Sequence, residues 1–204
     1  MTIYVIRHGE TALNAARVVQ LPETLLNARG EEQARRVAER LARAGVRRIL
    51  SSDLRRARMT ADIIQARLGV GVVESATLQE RHFGDLRGRP YSEFDEDIFA
   101  LAYAPPGGET WDDFHVRVAR AWQEVVAAAA AGEGDLVVVT HGLVCRALAE
   151  RSLRLPAGFA VPLHWGNTCV NEIEALEPWH VRVLNCVAHL DDGAADDPTA
   201  PSGL

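Results

Sequence analysis

Short unbroken runs of branched apolar residues alternate along this chain with longer segments in which apolar side chains return every three or four positions. That is the pattern of an α/β fold around a largely parallel sheet. Ile3 to Ile6 reads as a first strand and Arg48-Ile49-Leu50 as a second. Between them Ala34, Val37, Ala38 and Leu41 share one face of a helix over 30–44, with Asn27 placed to cap it. Leu54, Ala57, Ala61, Ile64 and Leu68 trace a stripe of the next helix, which Gly69 stops. Trp111, Phe114, Val118, Ala121 and Val125 lie along one side of a long helix over 111–131. Leu136 to Val139 is an unbroken run, the mark of a central strand buried on both faces. A helix over 142–153 and strands near 168–174 and 180–187 complete the series.

Two stretches break the pattern. Residues 87–108 hold Gly88, Pro90, Pro105, Pro106, Gly107 and Gly108 around one short helical segment, and read as an inserted lid. Residues 191–204 are Asp, Ala, Pro and Gly with almost no large apolar groups, and read as a disordered tail. The remainder, 1–190, is the size of one ordinary domain, and the chain shows no internal repeat.

Composition narrows the function. The chain has 204 residues, 48% of them apolar, and a net charge of −6. That balance argues against a general nucleic-acid binder. It does not argue against a small anionic substrate, because a few local arginines hold a phosphate whatever the total charge. Cys145, Cys169 and Cys186 show neither disulfide nor metal-finger spacing and read as small buried residues in a reducing compartment. The chain opens directly into a strand, without the apolar core of a signal peptide, and no apolar run approaches membrane-spanning length. A cytoplasmic location with no membrane partner is expected.

Three of the strands end in polar residues that a core has no use for. Ile3–Ile6 runs into Arg7-His8-Gly9-Glu10-Thr11, Ile49-Leu50 into Ser51-Ser52-Asp53 and the arginines that follow, and Val137–Val139 into Thr140-His141-Gly142. Ligands of open α/β sheets bind beyond the carboxyl ends of the strands, so parallel neighbours would deliver two histidines and at least two arginines to one place. Such a site suits a phosphate dianion better than a cation. Arginine grips phosphate oxygens in pairs, and neutral imidazole is a competent nucleophile towards phosphorus. An acid for the leaving oxygen is still needed, and Glu80, following a short strand, is placed to supply it. Each residue alone also has a plainer reading: a hydrogen-bonded histidine, a surface carboxylate, or, for Arg55 and Arg58, a solvated helix face. Neither HExxH nor HxH occurs, so no metal is expected.

These residues together resemble the histidine phosphatase superfamily, also called the phosphoglycerate mutase-like family. Arg7 to Thr11 with Asn14 looks like its RHGET motif. Ser51 to Ala61 is similar to its second block, and Leu78-Gln79-Glu80 with Phe83-Gly84 to the block carrying the proton donor. Pro106 to Thr110 looks like a PGGES-type segment, and Val138 to Gly142 like the block of the second histidine. The resemblance implies a three-layer α/β/α sandwich with a central, mainly parallel mixed sheet. It implies catalysis by His8, Glu80, His141, Arg7 and Arg56, with phosphate bound by Arg7, Asn14, Arg56 and His141. His8 would become a phosphohistidine, and no cofactor is implied. The activity implied is that of a histidine acid phosphatase-type phosphomonoester hydrolase acting on a small phosphorylated metabolite. A homodimer is left open.

The chain departs from the family at Leu25, where proline is usual, and at Asp85-Leu86, where many phosphatases carry Trp-Glu. Two alternatives remain. A cofactor-dependent phosphoglycerate mutase is favoured by Glu80-Arg81-His82-Phe83-Gly84. Against it stand the short chain and the Arg89-Pro90 pair where such mutases tend to have asparagine-lysine; all 22 basic residues here are arginine. The other alternative is a non-catalytic relative that binds a phosphorylated ligand.

Overall fold

A computed structural model describes residues 1–190, so the tail expected over 191–204 lies outside the described residues. Six strands form one sheet: β1 (Thr2–Arg7), β2 (Val46–Ser51), β3 (Val72–Glu74), β4 (Asp135–Thr140), β5 (Val170–Glu174) and β6 (Val181–Cys186), in the order β3-β2-β4-β1-β5-β6. The first four run parallel, whereas β5 and β6 are antiparallel to their neighbours. The sheet is therefore mixed and mostly parallel, as expected.

Helices cover both faces: α1 (Ala12–Ala15), α2 (Ala28–Leu41), α3 (Arg55–Leu68), α4 (Trp111–Ala130) and α5 (Gly142–Arg151). The alternation within β4 explains the layers. Val137 and Val139 point to the side where Val37, Leu41, Ala57 and Ile64 of α2 and α3 pack. Leu136 and Val138 point to the side of Phe114, Val118 and Trp122 of α4 and Leu148 of α5. A strand buried on both faces must be apolar at every position, which is why this run is unbroken.

Helix ends follow local chemistry. Asn27 accepts the Gly30 N–H at 2.8 Å, so α2 begins two residues before the apolar stripe indicates. It ends at Leu41 rather than continuing through Ala44, whose N–H turns back to Leu41 O at 2.9 Å. Gly69 closes α3 with φ 69°, a left-handed conformation that costs glycine nothing. Within residues 87–108 the expected short helix is a single 3-10 turn, Tyr91–Glu93. The stretch packs down rather than standing free: Ile98 is buried, and Phe99 meets Phe83 and Tyr91 edge to face at 5.7 and 5.4 Å. Cys145 and Cys169 are buried free thiols, while Cys186 is only half-buried.

The register sets the site. Arg7 pairs with Thr140, and Ser51 with Val139, so β1, β2 and β4 end level with one another. The residue after each strand, His8, Ser52 and His141, emerges at the same edge.

Candidate active site

His8 continues the strand pairing through its N–H to Thr140 O at 2.9 Å, and its side chain is almost wholly buried. Asn167 Nδ2 donates to its carbonyl at 3.0 Å and the Thr168 N–H at 3.3 Å. Thr168 takes φ 55°, a strained conformation for a β-branched residue, at the point where it reaches His8. The imidazole is fixed as well. Nδ1 lies 2.7 Å from Gly9 O, and a carbonyl only accepts, so Nδ1 carries the proton. The lone pair is then on Nε2, where Arg56 Nε donates at 3.2 Å.

Arg56 stands in the first turn of α3, and its Nη1 donates to Leu21 O at 3.2 Å. Thr60, one turn on, donates to Arg56 O at 2.8 Å and accepts the Gly9 N–H at 3.1 Å, tying α3 to the His8 loop. Arg7 donates from Nη1 to Trp165 O. The His141 ring lies 5.2 Å from that of His8; its Nε2 shares a hydrogen bond with Ser52 Oγ at 2.8 Å, and its buried Nδ1 has no partner among the described residues. Glu80 is buried, accepting the Arg81 N–H at 3.0 Å and the Leu143 N–H of α5 at 3.2 Å. Arg7, Arg56, His8, His141 and Glu80 are thus brought together. Asn14 lies in the capping box of α1, where its side-chain oxygen accepts the Thr11 N–H at 3.3 Å. Arg55 is exposed, and Arg58 pairs with Asp62 and Glu74 at 2.7 and 2.6 Å on the surface, as their plainer reading expects.

Burial and cationic neighbours set the protonation states. Desolvation, then Arg56, holds both histidines well below the usual imidazole range, so both are neutral near pH 7. Desolvation raises Glu80, with its two backbone donors and Arg56 opposing. Arg56 falls to about 10, chiefly through burial, and remains cationic. Among the described residues no cluster of three or more His, Cys, Asp or Glu is arranged to hold a metal.

Sequence reasoning missed the supports. Arg117 of α4 donates to the carbonyls of Thr77 and Gln79 at 2.8 Å and of Glu80 at 3.2 Å, and pairs with Glu109 at 2.7 Å. Glu109 also accepts the His82 N–H at 2.9 Å. Buried Arg81 donates to the carbonyls of Glu109, Ile98 and Tyr103 and lies over Trp111 at 4.2 Å. A 3-10 turn, Ala76–Leu78, separates β3 from Glu80, so this bracing, not the strand, places the carboxyl. In sequence Arg117 looks like one more charge on an amphipathic helix. Over Arg56 and Glu80 opens a pocket lined also by Gln20, Phe83, Arg87 and Tyr91.

A mostly parallel sheet whose strand ends gather two neutral histidines, two arginines and a buried carboxyl defines the class of histidine-centred phosphatases and mutases. The family model of the histidine phosphatase superfamily (branch 1) matches residues 3–186, and the chain belongs to that superfamily. Phosphoglycerate mutase-like protein 4 of Arabidopsis thaliana is 38% identical, across 93% of this chain and 87% of the relative. A probable phosphoglycerate mutase GpmB of Serratia proteamaculans is 31% identical, across 97% and 98%. Among solved structures, a mycobacterial glucosyl-3-phosphoglycerate phosphatase complexed with VO3 superposes with a TM-score of 0.77 at 29% identity, covering 91% of this chain and 99% of the other. An alpha-ribazole phosphatase from Shigella flexneri gives 0.78 at 27%, covering 92% and 98%. Among the described residues no helix is long and apolar enough to cross a membrane.

Proposed function

We propose that this chain hydrolyses a small phosphomonoester through a phosphohistidine at His8 Nε2, without a metal or other cofactor. The observation that carries this reading is the His8 imidazole, with Nδ1–H spent on Gly9 O and the Nε2 lone pair held beside a guanidinium. In the free protein Arg56 occupies that lone pair; an arriving phosphate draws the guanidinium onto its own oxygens and frees the nitrogen to attack.

Nε2 then bonds to phosphorus as the P–O(ester) bond breaks in line, and Glu80 gives its proton to the departing oxygen. Arg7, Arg56 and His141 hold the three remaining oxygens as charge redistributes, and Asn14 adds a neutral hydrogen bond. Glu80, now a carboxylate, takes a proton from water, whose oxygen attacks the phosphohistidine. Inorganic phosphate leaves, and both His8 and Glu80 return to their starting states. The two arginines supply the positive charge that a metal provides elsewhere, and neutral His141 adds a hydrogen bond.

Solved structures named as phosphatases support hydrolysis over transfer between hydroxyls. The test is phosphate release over a panel of phosphomonoesters with EDTA present, alongside 3- to 2-phosphoglycerate exchange. Release that vanishes in His8→Ala is the expected result. Fast exchange with little release would make the chain a mutase, and turnover surviving in His8→Ala would remove the covalent mechanism.

A further inference from the structure

The pocket over Arg56 and Glu80 contains a cation with nothing to hold. Three arginines line it. Arg56 donates to His8 and Leu21, and Arg81 to three backbone carbonyls, so both are committed. Arg87 is different. Half-buried, its guanidinium makes no hydrogen bond or ion pair among the described residues. The carboxylates whose charge reaches it are Glu23 and Glu109. Glu109 is already held by Arg117 through both oxygens at 2.7 Å, and Glu23 is exposed.

Arg87 is no loose surface arginine either. It ends the 3-10 turn Gly84–Leu86, with its N–H on Gly84 O at 3.3 Å. That turn is pressed against the start of the PGGE segment: a Cβ on Gly84 would lie 1.9 Å from Pro106 O, so only glycine fits. The backbone under Arg87 is therefore fixed by close contact. A partly desolvated guanidinium on a fixed stem, facing a pocket without a counter-charge, is unfavourable until an anion arrives. Besides Glu80, the rest of the wall is Val19, Pro22, Leu54 and Phe83 with two uncharged polar groups, the Gln20 amide and the Tyr91 phenol, and burial drives that phenol up to about 12, so it stays neutral.

We propose that Arg87 is a second anion-binding group of this pocket, and that the substrate is a small phosphomonoester carrying another anionic group a few bonds from its ester oxygen. This rests on the phosphomonoesterase reading and specifies its substrate class. A carboxylate and a second phosphate share the chemistry, and Arg87 serves either by paired N–H···O bonds.

The experiment is calorimetric binding in a His8→Ala background, where no ligand is consumed. Three ligands differ at one end only: propyl phosphate, 3-phosphonooxypropanoate and propane-1,3-diyl bisphosphate. One or both charged ligands should bind about tenfold or more tighter than propyl phosphate, the span expected of a charge-assisted pair. The tighter of the two names the anion. Adding Arg87→Gln should abolish that advantage and leave propyl phosphate within about twofold, while Arg87→Lys restores part of it. Equal binding of all three to the parent, or equal weakening of all three by Arg87→Gln, would overturn the assignment and leave the phosphomonoesterase reading standing. Failure of all three to bind would overturn both.

Discussion

Five side chains meet at the site, and each has been denied the water that would set its ordinary behaviour. His8 and His141 are neutral because burial and two guanidiniums oppose their protonation. Glu80 holds its proton more tightly than a surface carboxyl because burial outweighs its two backbone donors and nearby arginines. The signs follow. Under the proposed mechanism His8 must be neutral to attack, so kcat/KM should fall as pH drops through its depressed pKa. Glu80, as the proposed acid, must be protonated to donate, so the rate on an alkyl phosphate should fall as pH rises through its raised pKa. An aryl phosphate whose leaving group needs no proton should lose that alkaline limb. Glu80→Gln should accordingly slow alkyl esters by about a hundredfold or more while sparing activated aryl esters, a gap within the usual range for general acid catalysis. Steady-state rates on both ester types across pH check this, and equal losses on both would reassign the acid.

Strands, helices and turns bring those side chains within reach. The loop after β1 crosses the first turn of α2 in direct backbone contact: a Cβ on Gly30 would lie 2.0 Å from Glu10 O, and one on Gly9 2.4 Å from Gly30 O. Gly30→Ala should therefore push the His8 loop away from α2, at a cost of roughly 1–3 kcal/mol of stability. Urea unfolding checks it, and an unchanged midpoint would show that the contact yields freely. The strand ends and helix stripes were legible in the sequence because one rule, burial of apolar faces, acts along contiguous residues. The five central residues were legible because they follow such strands or repeat a family block. The braces were not. Arg117 and Arg81 gain their roles from carbonyls brought close by folding, and nothing in their sequence neighbours distinguishes them from surface arginines. Residues 87–108 likewise read as an inserted lid by their glycines and prolines, and their sequence did not show that Ile98 and Phe99 pack them onto the core.

Taken whole, the molecule places one electropositive pocket in a chain of net charge −6. Every cation near that pocket is arginine, whose charge survives burial where lysine readily loses it. The parallel half of the sheet gathers His8, Ser52 and His141 at one edge, Arg117 of α4 braces Glu80, and Arg87 and Tyr91 line the pocket over Arg56 and Glu80. On the proposed mechanism all of this serves one event, the transfer of phosphorus to His8. The measurement that tests it most directly is to mix the protein with a labelled phosphomonoester, quench in alkali within milliseconds, and locate the label by mass spectrometry. Phosphohistidine is expected at His8 on Nε2, stable in alkali, lost in acid and absent from His8→Ala. Turnover of the same ester with no label on His8 at any quench time would contradict the covalent route and leave His8 at most a binding group.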